Sequence, residues 1–377
     1  MRAGVCGQLI DGTLSERGAA DRLALSVRQV RRLKRRVGTE GPRGVIHRSR
    51  GRASPTRLAD ALRAEVTRLY REVYTGWNMQ HFGEWLAREH GLTVSRESLR
   101  RLLRDEPSRP RRRQRKQHRR WRDRRPREGD LLQMDASLHA WLGEDGEQSV
   151  LISAIDDATS RVVWAEFFEH YGVLENLAVV RDLVVTHGLP QSLYLDRHGI
   201  YFLQKEHALA ARERGDDGLT QFGRVMKELG IETIPAGSPQ AKGRVERSYR
   251  TQQDRLVKEL RLLGIRTRAD ANRYLHETFL PDYNKRFSVE PAQPDAVWVP
   301  LGPVDEHALF CLRDTRIAGN DLTISVRGQK WQLHGPVRSG QKVELRTWLD
   351  GSVHIYKGDT ELAYHRIEPA TATAATC

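Results

Sequence analysis

Between Pro107 and Arg127 the chain reads PSRPRRRQRKQHRRWRDRRPR, with twelve Arg and Lys against one acidic residue. A block this charged has no apolar set to bury and repels itself, so it cannot form the interior of a fold. It divides the 377-residue chain into a front and a back that must each build a core. Charge divides at the same place. Residues 1–127 hold 34 Lys and Arg against 13 Asp and Glu, net +21, whereas residues 128–377 hold 29 against 36, net −7. The front is therefore the part that faces nucleic acid. Within it, residues 106–127 are expected to track a phosphate backbone through Arg111, Arg112, Arg113, Arg115 and Lys116, the alternative being a solvated linker.

Length and composition fit several domains, since domains run to about 100–200 residues each. No stretch of about 18 apolar residues and no charged-then-apolar leader occurs. The expectation is a soluble, internal protein without a membrane partner. Cys6, Cys311 and Cys377 are few, odd in number and far apart, which argues against a disulfide framework and against a zinc finger.

Two helical clusters precede the basic block. In LSERGAADRLALSVRQVRRLKRRV, a helix with Ala19, Ala20 and Leu23 on its inner face is followed by a turn at Leu25–Val27. A second helix, capped by Ser26, then sets Val30 and Leu33 inward. This is a helix-turn-helix pattern, whose second helix enters the major groove, and Arg28, Gln29, Arg32 and Arg35 are its candidate DNA contacts. A second version places a helix at Thr75–Leu86, with Trp77, Phe82 and Trp85 as core, before a helix capped by Ser95 that carries Arg96, Ser98, Arg100 and Arg101. Two such units in series suggest a bipartite site on double-stranded DNA.

Behind the block, apolar alternation predicts strands at Leu131–Leu142, Val150–Ile155 and Val162–Phe168, with a polar turn at Asp156–Ser160. Helix Leu174–Val185, strand Ser192–Leu195, helix Gly218–Leu229, strand Glu232–Ile234 and helix Gln240–Leu263 follow. Asp135 lies within the first strand, Asp196 ends the fourth, and Glu246 opens the long amphipathic helix. Asp156 and Asp157 read as turn residues. Lys242, Arg244 and Arg247 beside Glu246 are either phosphate contacts, which would make binding salt-dependent, or a solvated face. His198 is more simply structural than substrate-touching.

The ordered set LISAIDDATSRVVWAEFFE, YLDRHG and GRVERSYRTQQDRLVKEL, behind a helix-turn-helix front, resembles the DDE catalytic core of retroviral integrases and insertion-sequence transposases. Among these it is most similar to the ISNCY-type transposases. The resemblance implies an α/β multidomain chain with helix-turn-helix units, a ribonuclease H-like catalytic core and a small C-terminal SH3-like β-barrel. The expected parts are helix-turn-helix domains at 1–60 and 61–105, the basic linker at 106–127, the catalytic domain at 128–290, a linker at 291–308, the barrel at 309–367 and a tail at 368–377.

The resemblance also implies Asp135, Asp196 and Glu246 as catalytic and metal-binding residues, holding two Mg²⁺ or Mn²⁺ ions about 3.5–4 Å apart. Asp135 would bridge both ions, with Asp196 on one and Glu246 on the other. Water would cleave the element end to free a 3′-hydroxyl, which would then attack target DNA. Two ends handled together imply a dimer or tetramer on DNA. Three features depart from the integrase pattern. Glu246 follows Asp196 by fifty positions, more than integrases place there, with the surplus expected at Gln204–Gly218. Two residues instead of one stand between Asp196 and Gly199, and Gln253 occupies a position expected to be basic. The rival readings are a DNA-binding regulator with an inactive core and a non-specific metal-dependent nuclease.

Overall fold

A computed structural model describes residues 2–47, 50–51, 57–108, 123–213, 217–237 and 243–367. These divide at Arg71/Glu72 into two compact units. No described helix is long and apolar enough to cross a membrane.

The first unit begins with α1 (Arg2–Ile10), α2 (Glu16–Leu23) and α3 (Val27–Glu40), followed by a 3₁₀ turn at Gly41–Val45. Val5, Cys6, Leu9, Ala19, Ala20, Leu23, Val30, Leu33 and Val37 form its core. The α2–α3 turn is set by local chemistry. Ala24 takes a left-handed conformation (φ 51°) that ends α2. Ser26 then caps α3: its hydroxyl accepts from the Gln29 amide at 3.3 Å, and Gln29 Oε1 accepts from the Ser26 amide at 2.9 Å. This reciprocal box satisfies donors that a helix start leaves open, and the Ser cap alone contributes about 1 kcal/mol. The division between units falls in the last turn of α4 (Asp60–Glu72).

The second unit opens with α5 (Met79–His90) and α6 (Arg96–Leu102). The first of these was expected to start at Thr75. Instead Gly76 turns the chain at φ +79° and Asn78 caps the helix, its Oδ1 accepting from the Gln80 and His81 amides at 3.1 and 2.9 Å. Tyr74 and Trp77 meet edge-on at 5.0 Å, and Trp77 and Trp85 at 5.4 Å. Trp77, Phe82 and Trp85 are core, as expected.

The central sheet follows. Its strands are β1 (Leu132–Leu138), β2 (Val150–Asp156), β3 (Val162–Phe168), then α7 (Val173–His187), β4 (Ser192–Leu195), α8 (Lys205–Glu213), α9 (Gln221–Leu229) and β5 (Glu232–Pro235). The strand order is β3-β2-β1-β4-β5, with β1–β3 an antiparallel meander and β4 and β5 added in parallel. Alternation gives each face its own core. Leu132, Met134, Ile152, Leu193 and Leu195 pack with Leu177 and Val180 of α7 and with Phe222 and Met226 of α9. Leu151, Ala165 and Phe167 face the other way, toward α10 (Gly243–Leu262) and the helical run α11 (Arg268–Tyr274), a π turn (Leu275–Phe279) and α12 (Leu280–Phe287). The π turn precedes Pro281, whose ring an unbroken α-helix would drive into the preceding turn. Beyond it, residues 291–300 wrap back onto the core. Leu189 and Val299 exchange hydrogen bonds of 2.7 and 3.1 Å, and Gly188 (φ +94°) lies so close to the Val299 carbonyl that a Cβ would sit 2.7 Å from its oxygen.

The C-terminal part holds α13 (Glu306–Leu309) and seven short strands: β6 (Leu312–Ile317), β7 (Thr323–Val326), β8 (Gln329–His334), β9 (Lys342–Thr347), β10 (Val353–Lys357), β11 (Thr360–Glu361) and β12 (Ala363–Arg366). The expected closed barrel is not found among the described residues. Two sheets, β11-β10-β9-β6 and β12-β8-β7, share one core of residues such as Ile324, Trp331, Leu333, Val343 and Ile355. Closure needs a ladder joining their edges, and none forms. The chain changes sheet instead at three places, Ala318–Leu322, Gly335–Gln341 and the buried Leu362.

The second helical unit docks on α10 through buried polar pairs. His81 Nε2 meets Glu259 Oε1 at 2.7 Å, Tyr274 donates to the other Glu259 oxygen at 2.5 Å, and Arg255 forks onto Glu84 at 2.7 and 3.3 Å. His81 Nδ1 is buried with no partner. A neutral ring with its proton on Nε2 suits that arrangement, because protonation would bury a second N–H without an acceptor. Burial lowers the His81 pKa despite the opposing pull of Glu259. The unfolded state therefore takes up the proton first, so this contribution to stability is full above about pH 6.5 and is lost as pH falls below it. Urea midpoints at pH 7.5 and 5.5 should differ, and the difference should shrink in His81→Gln. An unchanged difference in that variant would assign it to other groups.

Candidate active site

The two aspartates come together through strand register. β1 and β4 run parallel with Leu132 beside Leu193 and Gln133 beside Tyr194, and continuing that register two residues sets Asp135 beside Asp196. Their side chains leave the same face. Leu132, Met134, Leu193 and Leu195 fill the α7–α9 side, so Gln133, Asp135, Tyr194 and Asp196 take the α10 side. Both carboxylates are half-buried.

Helix α10 runs along β1 in step with it. The Val245 amide donates to Gln133 Oε1 at 3.4 Å, the Tyr249 hydroxyl donates to the Asp135 carbonyl, and Gln253 Nε2 donates to Ser137 Oγ at 3.2 Å. Four helical residues rise about 6 Å and two strand residues about 6.7 Å, so contacts recur at that interval. Glu246 belongs to the turn between the Gln133 and Asp135 contacts and is exposed. Among the described residues no three His, Cys, Asp or Glu side chains are grouped to hold a metal ion. The β1–β4 register thus brings Asp135 and Asp196 to neighbouring positions, with Glu246 on the adjoining helix, and these three carboxylates are not grouped to hold a metal ion.

Sequence reasoning missed a line of phenols behind the aspartates. Tyr201 donates to Asn176 Oδ1 at 2.7 Å, and Asn176 Nδ2 donates to the Gly172 carbonyl at 2.7 Å. With its proton used there, Tyr201 accepts from Tyr171 at 3.0 Å, which leaves Tyr171 a free acceptor oxygen. Tyr171 also packs on His198, 5.4 Å between rings, and the His198 amide donates to Asp196 Oδ1 at 3.1 Å. Burial raises the Tyr171 pKa to about 12, with the Asp196 and Asp135 charges adding to it. Burial likewise lifts Tyr201 and Tyr249 well above the usual phenol range. Tyrosines between elements look like core residues in sequence, and only the fold gathers them here.

The candidate DNA contacts separate by what already holds them. Arg28, Gln29, Arg32 and Arg35 on α3 are exposed, although Gln29 also serves the Ser26 cap. On α6, Arg96 is exposed, Ser98 Oγ accepts from Ser95 at 2.9 Å, Arg100 forks onto Glu97 at 2.7 and 2.8 Å, and Arg101 reaches the same carboxylate at 3.2 Å. The Arg100 hydrogen bond draws the Glu97 pKa down to about 2. Arg244 is ion-paired with Asp157 at 2.5 Å, and Arg247 is exposed. Arg111, Arg112, Arg113, Arg115, Lys116 and Lys242 lie outside the described residues. Asp156 is structural, as expected: it accepts from the Gly129 amide at 3.0 Å and from the Thr159 amide and hydroxyl, both at 2.7 Å.

No protein-family profile matches the chain. It is 36% identical over 366 residues to "Putative transposase y4bF" of Sinorhizobium fredii, across 95% of this chain and 78% of that protein. It is 29% identical over 314 residues to the transposase for insertion sequence IS1202 of Streptococcus pneumoniae, across 74% of this chain and 66% of that one. Among solved structures it is similar, at 15% identity and a TM-score of 0.28, to the HTLV-2 integrase catalytic core domain in complex with magnesium, over 40% of this chain and 89% of that one. A simian T-cell lymphotropic virus intasome in complex with PP2A regulatory subunit B56 gamma matches at 13% identity and a TM-score of 0.29, over 78% of this chain and 97% of that one. Superpositions that loose carry no residue-level weight, and the assignment rests on sequence: matched across nearly its whole length to y4bF, the chain belongs to the transposases.

Proposed function

We propose that this transposase is of ISNCY type, binds the terminal repeats of its own insertion sequence, cleaves the element ends and joins them to target DNA through a ribonuclease H-like DDE core. The observation that carries the proposal is the parallel register of β1 and β4, which sets Asp135 beside Asp196 on the face that α10 covers. The meander extended by two parallel strands supports the ribonuclease H-like reading.

The donor set suits divalent magnesium or manganese. Carboxylate oxygens are the ligands such hard ions prefer, and a half-buried pair of like charges is favoured when a cation sits between them. Asp135 and Asp196 would hold the ions and Glu246 would supply the third carboxylate. When bound, two such ions activate the attacking oxygen and stabilise the departing one.

The chain's own residues supply the rest. Tyr171, with its hydroxyl proton committed to Tyr201, offers an acceptor oxygen beside the aspartates that would orient a water. That water's oxygen would bond to phosphorus as the bond to the 3′-oxygen breaks, and the freed 3′-hydroxyl would repeat the displacement on target DNA. The exposed arginines of α3 would read the element end, and residues 106–127 would follow its backbone. Two copies of the chain would handle the two ends, on the symmetry common to oligomers.

The test is strand transfer with Mg²⁺, using a duplex of the element's own terminal sequence beside a scrambled duplex. Joined product from the cognate end alone is expected. Binding without joining would replace the proposal with a DNA-binding regulator, and equal cutting of both duplexes with a nuclease.

A further inference from the structure

Asp157 looks like a turn residue in sequence, yet its carboxylate is wholly buried and receives donors from three separate parts of the chain. Gln133 Nε2 donates to Oδ1 at 2.7 Å from β1, two residues before Asp135. Arg244 donates to the same oxygen at 2.5 Å from α10, two residues before Glu246. The Arg125 amide donates to Oδ2 at 2.9 Å from the C-terminal end of the basic segment. Around it, the Arg124 guanidinium binds the carbonyls of Asp157 and Ala158 at 3.2 and 2.9 Å. Its neighbour Asp156 differs in reaching neither β1 nor α10 through these bonds: it accepts from the Gly129 amide before β1 and from Thr159 in its own turn.

A capping or turn aspartate needs local donors, and Asp157 has none among these three. Arg244 is itself nearly enclosed, with 12% of its side chain exposed. A buried guanidinium fixed by a buried carboxylate has little freedom, because any displacement leaves one charge without its partner. Gln133 closes the set, giving one hydrogen bond to Asp157 and accepting another from the Val245 amide in the first turn of α10.

We infer that Asp157 is a positioning residue: it fixes the first turn of α10, and so the point from which Glu246 extends, against the strand bearing Asp135, and couples that placement to the end of the DNA-tracking segment. The inference rests on the proposed DDE reading for its consequence in catalysis. Binding of DNA by the basic segment acts on Arg124 and Arg125, and through Asp157 on the helix that carries the third carboxylate.

The experiment uses the full chain with a duplex of the element's terminal sequence and has two readouts. One is the rate of end cleavage in Mg²⁺ beside the affinity for the duplex. The other is amide hydrogen exchange over 243–250, with and without duplex and without metal. For Asp157→Asn, cleavage should fall about 10–100-fold, the range for residues that orient a metal ligand, while affinity stays within about twofold. Exchange over 243–250 should quicken, and duplex should slow it in the wild type but not in the variant. Adding Arg244→Gln to Asp157→Asn should cost no further cleavage, because the two act through one contact. Should Asp157→Asn fail to fold, Arg244→Lys carries the same expectations, since it keeps the charge but loses the planar fork. Unchanged exchange over 243–250 in a folded variant overturns the inference, whatever happens to cleavage. Wild type that binds yet never cleaves overturns the DDE reading, and the exchange readout still decides the positioning role.

Discussion

Asp135→Asn is expected to abolish end cleavage and joining while leaving affinity for the element end unchanged. The substitution keeps the shape of the side chain and removes its charge. The main-chain carbonyl that Tyr249 holds is untouched, so α10 keeps its seat on β1. What disappears is one of two carboxylates set side by side by the β1–β4 register. Loss of a residue that only orients a metal ligand costs about 10–100-fold, and loss of a carboxylate proposed to hold the ion itself should cost more. The measurement is cleavage of a labelled terminal duplex beside a gel-shift titration. A variant still cleaving within tenfold of wild type would remove Asp135 from the site. One that lost binding in proportion would show that the site had collapsed, which the seating of Tyr249 argues against.

The sheet was legible because its chemistry is local. Alternating apolar residues in Leu132–Leu138 and Val162–Phe168 commit each strand to two faces, and parity then decides that Asp135 and Asp196 share one of them. Ser26 announced the start of α3 for the same reason. Other features depend on partners distant in sequence. Asp157 carries a turn signature, and nothing local shows that Arg244, 87 residues on, will meet it. Tyr171 and Tyr201 resemble ordinary core residues until the fold stacks them behind the aspartates. Barrel closure depends on which strand edges pair, and alternation within each strand is the same whether they do or not. Likewise, the charge step at residue 127 said nothing of where α5 would dock. Its partner α10 lies beyond the whole central sheet in sequence.

That docking carries the second large effect. Glu84→Ala should destabilise the second unit by about 3–5 kcal/mol, the usual cost of removing one member of a buried ion pair. Glu84 accepts from Arg255 and also pairs with Arg286 at 2.8 Å. Arg255 is only 7% exposed and lies over Phe287 at 5.0 Å, so without Glu84 its charge stays buried against an aromatic ring. A fall in melting temperature on the order of 10 °C follows from that loss. The double change Glu84→Leu with Arg255→Met separates two causes. If the cost comes from an uncompensated charge, an apolar pair of similar volume should recover most of the stability, since such replacements are often near neutral. If the double variant melts as low as Glu84→Ala, the ion pair itself stabilises the docking of α5 on α10. In either case the back of the helix bearing Glu246 is held by residues from the front third of the chain, so a truncation at residue 127 would uncover Arg255 and Glu259. Helix α5 is therefore part of the support of the helix that bears Glu246.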